Sequence, residues 1–131
     1  MNIFYTGEVL SNNAFVFLKS HQDSYLVDVR TYQEWVSVGI PDISSINKEV
    51  IFLSWRVAPQ MEINKSFVLE LSSVIKDKDA VIYFLCKSGS RSAEAAVAFY
   101  NFGYRNSYNV SYGFEGENIG WKALSLPWRK G

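Results

Sequence analysis

A continuous apolar run, Ala80–Leu85, ends at a cysteine and a short polar loop, and an Ala-rich helical pattern over Ala93–Tyr100 follows at once. A run that is apolar throughout, rather than alternating, is typical of a central parallel strand covered on both faces. A strand, a short loop and a helix start also form an anion site, because unpaired main-chain N–H groups point into the loop. Ligands of parallel α/β sheets bind beyond the carboxyl ends of the strands, where Cys86 stands.

The remainder of the chain alternates between strand and helix patterns. Thr31 can cap a short helix with Glu34 as the capping-box acid, and Gly103 suits the end of the helix that follows the cysteine. The alternation predicts an α/β fold in a single domain over residues 1–131, with a small, largely parallel sheet and helices on both faces. The predicted strands are Tyr25–Val29, Val50–Trp55, Ala80–Leu85 and Ser107–Val110, and the predicted helices are Val9–Lys19, Thr31–Val36, Ser66–Lys76 and one beginning at Ala93.

The composition excludes several classes of function. Thirteen basic residues balance thirteen acidic ones, so no net field favours nucleic acid or an anionic membrane. One cysteine cannot form an internal disulfide and one histidine cannot assemble a Cys/His metal cluster, so we expect no resident metal or cofactor. The first residues lack a basic region followed by an apolar core, and no apolar run approaches the ~20 residues that span a bilayer. We expect a cytoplasmic protein, in a reducing setting that suits a free thiol.

Cys86 allows two interpretations. A free cysteine at a strand end is often a small buried hydrophobe. The residues that follow favour a reactive role, because Gly89 permits the turns that aim several N–H groups at one point, and helix-end charge with two cations stabilises a thiolate. This pattern indicates an anion-handling cysteine without fixing its reaction. The residues that we expect to bind the anion are Lys87, Ser88, Gly89, Ser90, Arg91 and Ser92.

The segment Cys86–Ser92 resembles the active-site loop of rhodanese-type sulfurtransferases. Leu26–Trp35 is similar to the family's early Asp-Val-Arg…Glu-aromatic signature, and Gly103–Gly116 and Gly120–Trp128 are similar to its closing segments. The matches follow the family's order from about Tyr25 to the C-terminus. Since they occupy most of the chain, the resemblance implies a rhodanese-like domain.

Two segments depart from the family pattern. Many members carry Gly-His-Ile-Pro-Gly after the second helix, whereas this chain has Val38–Asp42 without the histidine. That departure removes a residue that could orient the loop, and it leaves the nucleophile untouched. The stretch 44–63 is the least family-like part of the chain, and we assign no function to it.

The resemblance implies a two-step sulfur transfer in which the Cys86 thiolate is the catalytic nucleophile. It would take the outer sulfur of a small anionic donor such as thiosulfate, releasing sulfite, and pass that sulfur to cyanide, a cellular thiol or an acceptor protein. The loop N–H groups would hold the outer sulfur of the persulfide. Lys87 would attract the anionic donor, and Arg91 would either bind the donor or form a salt bridge at the helix start.

Two other functions remain open at this point. One is a non-catalytic rhodanese-like module that binds a partner protein, in which Cys86 would be unreactive. The other is a cysteine-dependent phosphatase. Phosphatases on this scaffold place five residues between cysteine and arginine, whereas four separate Cys86 from Arg91 here, and the tighter loop suits a single sulfur atom better.

Asp28, Arg30 and Glu34 are expected to support the site rather than to react. We expect Arg30 to pair with Glu34 one turn later, and Asp28 to bind loop main-chain N–H groups. The resemblance also places Phe114 and Trp121 at the mouth of the pocket.

Overall fold

The structure is a computed structural model that describes residues 5–131. Met1–Phe4, part of the stretch in which no signal sequence was recognised, lie outside the described residues. The described residues form nine strands, four α-helices and one short 3₁₀ helix at Ser44–Ile46. In chain order these are β1 (Gly7–Leu10), α1 (Ser11–Ser20), β2 (Ser24–Asp28), α2 (Tyr32–Val38), β3 (Ile40–Pro41), β4 (Ile51–Phe52), β5 (Arg56–Val57), β6 (Glu62–Ile63), α3 (Phe67–Val74), β7 (Val81–Leu85), α4 (Ser90–Asn101), β8 (Ser107–Ser111) and β9 (Trp128–Arg129).

The main sheet has, within the described part of the chain, five strands in the order β1-β8-β7-β2-β4, and every neighbouring pair is parallel. The predicted parallel α/β fold is therefore confirmed. Asp28 at the end of β2 pairs in register with Leu85 at the end of β7. This register brings the segment after Asp28 and the segment after Leu85 to the same edge of the sheet.

Strand β7 divides two hydrophobic cores. Ile82 and Phe84 point to one side, where helices α3 and α4 pack, and Cys86 continues that alternation. Tyr83 and Leu85 point to the other side, where helix α1 packs with the segments that follow β8. Because β7 is covered on both faces, its continuous apolar sequence is explained.

Several predicted boundaries need correction. The predicted helix over Val9–Lys19 is preceded by a strand, β1, which pairs with β8 at the edge of the sheet and ends at Leu10. The predicted strand over Val50–Trp55 contains only the two residues of β4, although the N–H groups of Leu53 and Trp55 still donate to the Asp28 and Val29 carbonyls, each at 3.1 Å. The capping box of Thr31 and Glu34 is present as predicted, and Gly103 has the expected left-handed conformation after α4.

Two small antiparallel pairs, β3–β9 and β5–β6, complete the described elements. The second pair follows the chain's departure from β4 and is joined to helix α4 by Glu94, which accepts hydrogen bonds from Trp55 and Arg56 at 2.7 Å and 3.1 Å. The least family-like segment therefore contacts the first turns of the helix that follows the cysteine loop. Among the helices of residues 5–131, none has the length and apolar character needed to cross a membrane.

Candidate active site

Cys86 follows β7 directly, and its side chain is fully buried. The main-chain N–H of Gly89 donates to the Cys86 sulfur at 3.1 Å, and the Ser92 hydroxyl also contacts that sulfur at 3.1 Å. Hydrogen-bond donors in this position stabilise negative charge on sulfur. The sulfur is therefore buried among core residues but turned toward the polar loop.

The loop between β7 and α4 is short because Gly89 adopts a left-handed conformation with a φ of 115°. Helix α4 starts at Ser90, three residues before the predicted start at Ala93. Its first hydrogen bond runs from the Ala93 N–H to the Gly89 carbonyl at 3.3 Å. The N–H groups of Ser90, Arg91 and Ser92 precede that bond and point toward the N-terminal end of the helix, where an anion is favoured.

Three of the predicted anion-binding residues, Lys87, Ser88 and Ser90, are exposed. Among the described residues, no carboxylate forms an ion pair with the Lys87 ammonium group. The charge of Lys87 is therefore directed to solvent beside the loop, where it can act on an approaching anion.

Arg91 is held by a two-pronged ion pair with Glu34 of helix α2. The bonds run from Arg91 Nη1 to Glu34 Oε1 at 2.7 Å and from Nη2 to Oε2 at 2.9 Å. Burial acts to raise the pKa of Glu34, but the hydrogen bonds from Arg91 and Thr31 outweigh it and lower that pKa to about 2. The hydrogen bonds that Arg91 donates to Glu34 raise the pKa of Arg91. Two roles were predicted for Arg91, and the structure shows the salt bridge at the helix start.

The predicted pair between Arg30 and Glu34 is wrong. Arg30 instead pairs with Asp28, at 2.7 Å between Nη2 and Oδ2, and both side chains are fully buried. Asp28 also accepts the main-chain N–H of Arg30, which is one contact of the kind predicted for it. Arg30 pairs with Asp28 because the backbone turns directly after the strand and brings the Arg30 guanidinium back over that carboxylate. The same guanidinium lies over the Phe114 ring, with its Cζ 4.3 Å from the ring centroid.

Asn109, on strand β8, was not singled out from the sequence, yet it contacts the site. Its amide oxygen accepts a hydrogen bond from the Ser92 hydroxyl, the same hydroxyl that touches the Cys86 sulfur. Its amide nitrogen donates to the Gly89 carbonyl at 3.0 Å and to both carboxylate oxygens of Glu8. No signal within the cysteine loop could have found this residue, because the contact depends on the pairing of β7 with β8.

The segment after β8 lies against the backbone of the cysteine loop. Phe114 N–H donates to the Cys86 carbonyl at 2.8 Å, and Gly113 has no room for a side chain, since an added Cβ would lie 2.4 Å from that same carbonyl oxygen. The predicted position of Phe114 and Trp121 at the mouth of a pocket is wrong, because both side chains are fully buried. Both belong to the hydrophobic core on the face of the sheet opposite to helix α4.

Within residues 5–131, no three side chains of His, Cys, Asp or Glu are grouped closely enough to hold a metal ion. The chemistry that this arrangement supports by itself is nucleophilic, with one sulfur, one main-chain donor, one hydroxyl and a helix N-terminus.

Comparison with known proteins shows which family this chain belongs to. The model of the family described as the STR4 middle domain matches residues 6–131. An uncharacterized protein of Rickettsia conorii is 48% identical over 124 residues, covering 92% of this chain and 95% of that protein. A protein of Allochromatium vinosum named sulfurtransferase is 29% identical over 121 residues, covering 92% of each chain.

Two further similarities concern the fold. The chloroplastic rhodanese-like domain-containing protein 4 of Arabidopsis thaliana is 28% identical over 123 residues, which are 93% of this chain and 25% of that protein. The crystal structure of Rv0390 from M. tuberculosis aligns with a TM-score of 0.86 and 36% identity, covering 97% of this chain and 99% of that one. The arrangement of strands and helices described above is therefore one that solved proteins share.

Proposed function

Because this chain belongs to the STR4 middle-domain family, with a rhodanese-like fold, we propose that it is a sulfurtransferase in which Cys86 carries the transferred sulfur as a persulfide. The observation that carries the proposal is that two groups able to donate to a thiolate, the Gly89 N–H and the Ser92 hydroxyl, each lie 3.1 Å from the Cys86 sulfur. The name of the Allochromatium vinosum relative supports the same class of reaction.

The first step begins with the Cys86 thiolate attacking the outer sulfur of a small anionic donor, with thiosulfate as the test case. A new S–S bond forms to Cys86 as the donor's own S–S bond breaks, and sulfite leaves with the electron pair of that bond. The outer sulfur of the resulting persulfide is anionic, and the N–H groups at the start of α4 are the donors suited to it.

In the second step, an acceptor thiolate or cyanide attacks the outer sulfur of the persulfide. The bond between that sulfur and Cys86 breaks, its electron pair returns to Cys86 as thiolate, and the acceptor leaves as a persulfide or as thiocyanate. Splitting one transfer into two displacements lets the same thiolate serve as both nucleophile and leaving group.

Intact mass spectrometry after incubation with thiosulfate tests the proposal. We expect the chain to gain the mass of one sulfur atom while sulfite is released in equal amount. Cys86 is the only cysteine, so Cys86→Ser should abolish the gain completely. Parallel incubations with 3-mercaptopyruvate and glutathione persulfide compare donors of different charge and size.

Lys87 is proposed to attract the donor rather than to react with it. Lys87→Gln should lower the rate of sulfur loading from thiosulfate about two- to fivefold at low ionic strength, and less at high salt, because exposed charges act through a screened field. Lys19→Gln is the matched control, since Lys19 is exposed in the last turn of α1 and so lies toward the opposite edge of the sheet. Equal losses in both variants would contradict a local role for Lys87.

The second candidate is a non-catalytic binding module, and the full burial of Cys86 is the observation in its favour. It predicts no added sulfur from any of the three donors and no alkylation of Cys86 by iodoacetamide in the folded protein. Phosphatase chemistry has less support, because both terminal nitrogens of Arg91 are bound to Glu34 rather than free for a phosphate. If the protein hydrolysed p-nitrophenyl phosphate and Cys86→Ser abolished that activity, the phosphatase function would be supported instead.

A further inference from the structure

We infer that Asn109 is a positioning residue for Cys86. Its amide oxygen competes with the Cys86 sulfur for the single hydroxyl proton of Ser92, and this competition opposes ionisation of the resting thiol. The inference rests on the proposed function in that Cys86 is taken as the nucleophile. It concerns the reactivity of the free thiol, which is measurable without any sulfur donor.

The orientation of the Asn109 amide is fixed by its neighbours. The side-chain nitrogen faces only acceptors, at 3.0 Å from the Gly89 carbonyl and at 2.9 Å and 3.1 Å from the two carboxylate oxygens of Glu8. An amide NH₂ group has two hydrogens and no acceptor capacity, so this end must be the nitrogen. The amide oxygen therefore faces Ser92, and it can only accept.

Ser92 has one proton for two acceptors. Its hydroxyl oxygen contacts both the Asn109 amide oxygen and the Cys86 sulfur, and the Ser92 side chain is fully buried. No rotation of the hydroxyl can serve both partners with a strong hydrogen bond, because a hydroxyl carries a single donor. The state of Cys86 therefore decides where the Ser92 proton points.

Two hydrogen-bond arrangements follow. When Cys86 is a thiol, its S–H can donate to the Ser92 oxygen while Ser92 donates to Asn109, and every group is satisfied. When Cys86 is a thiolate, the Ser92 proton must turn to the sulfur, which leaves the Asn109 oxygen without a donor in a buried place. Leaving a buried acceptor unpaired is costly, so Asn109 opposes the thiolate.

The persulfide removes the competition. Once Cys86 carries an outer sulfur, the negative charge lies mainly on that outer atom, next to the main-chain N–H groups at the start of α4 rather than next to the Ser92 hydroxyl. Ser92 can then donate to Asn109 without depriving a charged sulfur. Asn109 thus disfavours the free thiolate relative to both the resting thiol and the loaded form.

The charged groups near the sulfur must be kept constant in any test. They come from the strand ends, both helices and the loop, and none of the variants below replaces one of them, although the Asn109 variants take away the amide nitrogen that binds Glu8. They are Asp28 at the end of β2 and Arg30 just after it, Glu34 on α2, Lys87 in the loop, Arg91 on α4 and Glu8 on β1 beyond Asn109.

The test is the rate at which iodoacetamide alkylates Cys86 in the folded protein across a pH series. Asn109→Leu has a similar volume and no acceptor, so it should raise the rate at about pH 7 by about three- to tenfold, the scale set by one competing hydrogen bond. The increase should shrink as pH rises, because Asn109 affects the rate only while part of Cys86 is still thiol. Asn109→Ala should behave in the same way if the leucine variant folds poorly.

A double-mutant cycle separates the inference from simple loosening of the loop. Ser92→Ala removes the shared proton, so adding Asn109→Leu to it should change the alkylation rate by less than about twofold. An increase that persists at high pH, or that persists in the Ser92→Ala background, would mean that Cys86 had merely become accessible and would overturn the inference. So would the absence of any increase. Failure of sulfur loading from thiosulfate would instead overturn the proposed function and leave this comparison standing.

Discussion

Two arginine–carboxylate pairs lie at the same edge of the sheet, and they differ in what they join. Arg30 and Asp28 are two residues apart, and both side chains are fully buried. Arg91 and Glu34 are 57 residues apart, with side chains that are 15% and 20% exposed. The first pair closes the end of one strand, whereas the second connects helix α2 to the helix that begins at the cysteine loop.

The Arg30–Asp28 pair therefore stabilises the core, whereas the Arg91–Glu34 pair holds the helix start that follows the cysteine loop. Arg30 is enclosed by the Asp28 carboxylate, the Gly39 carbonyl and the Phe114 ring, all of which are parts of the core. Glu34 has a second task, because it also completes the capping box that starts α2. Its link to Arg91 therefore couples the start of one helix to the start of the other.

The largest expected effect comes from breaking the buried pair. Arg30→Met leaves the Asp28 carboxylate fully buried without its partner, and we expect the free energy of unfolding to fall by about 3–5 kcal/mol. Urea unfolding followed by tryptophan fluorescence measures this loss. The double variant Asp28→Leu/Arg30→Met removes both charges and should recover most of the stability, because replacing an entire buried pair with apolar groups is often nearly neutral. A single variant within about 1 kcal/mol of the natural chain would contradict the assignment of this pair to the core.

An intermediate effect is expected at Glu34. Glu34→Gln keeps an oxygen for the capping box, since glutamine also serves at that position, but it removes the charge that binds Arg91. We expect a loss of about 1–2 kcal/mol in unfolding free energy, with a lower rate of sulfur loading because Arg91 is released at the loop. If stability falls while the loading rate is unchanged, the ion pair supports α2 without ordering the loop.

The comparison also explains what the sequence could predict. The apolar run of β7, the glycine of the loop and the Thr31–Glu34 capping box are local signals, and each predicted its element correctly. The partner of Arg30 was missed because the spacing of Arg30 and Glu34 satisfies a helix rule, whereas Arg30 lies before the helix and its side chain turns back into the core. Helical spacing does not apply to a residue that is outside the helix.

Contacts between distant segments were not predictable from one sequence. Asn109 reaches Ser92 only because β8 pairs with β7, and Arg91 reaches Glu34 only because β2 pairs with β7 on its other side. Strand β1 was missed for a related reason, since its four residues gain their stability from pairing with β8 rather than from a strong local pattern. The role of the loop residues could thus be predicted from the sequence, whereas the residues that hold the loop in place could not.

The pH dependence of stability separates the charge of Glu34 from its capping role. Arg91 and Thr31 lower the pKa of Glu34 in the folded chain to about 2, against an ordinary value of 4.5. As pH falls, the unfolded chain takes up this proton first, so the contribution of Glu34 is fully present above pH 4.5 and is lost as pH falls toward 2. The difference in unfolding free energy between the natural chain and Glu34→Gln should therefore shrink between about pH 6 and about pH 2.5. A difference that stays constant over this range would mean that the loss in Glu34→Gln reports damaged capping rather than the ion pair.

The smallest effect is expected at a third arginine–carboxylate pair, whose side chains are more exposed to solvent than those of the other two pairs. Arg56 and Glu94 lie 3.0 Å apart, with side chains that are 31% and 46% exposed. Glu94→Gln keeps an oxygen that can accept the Trp55 indole N–H, so the variant removes little except the surface ion pair, and we expect a loss of no more than about 0.5 kcal/mol. The identical substitution at Glu34 and at Glu94 then isolates the effect of burial and of two-pronged geometry, measured by the same urea unfolding experiment. Equal losses at the two positions would mean that the Arg91–Glu34 pair is an ordinary surface contact, and the coupling of α2 to the cysteine loop would have to be carried by the main chain instead.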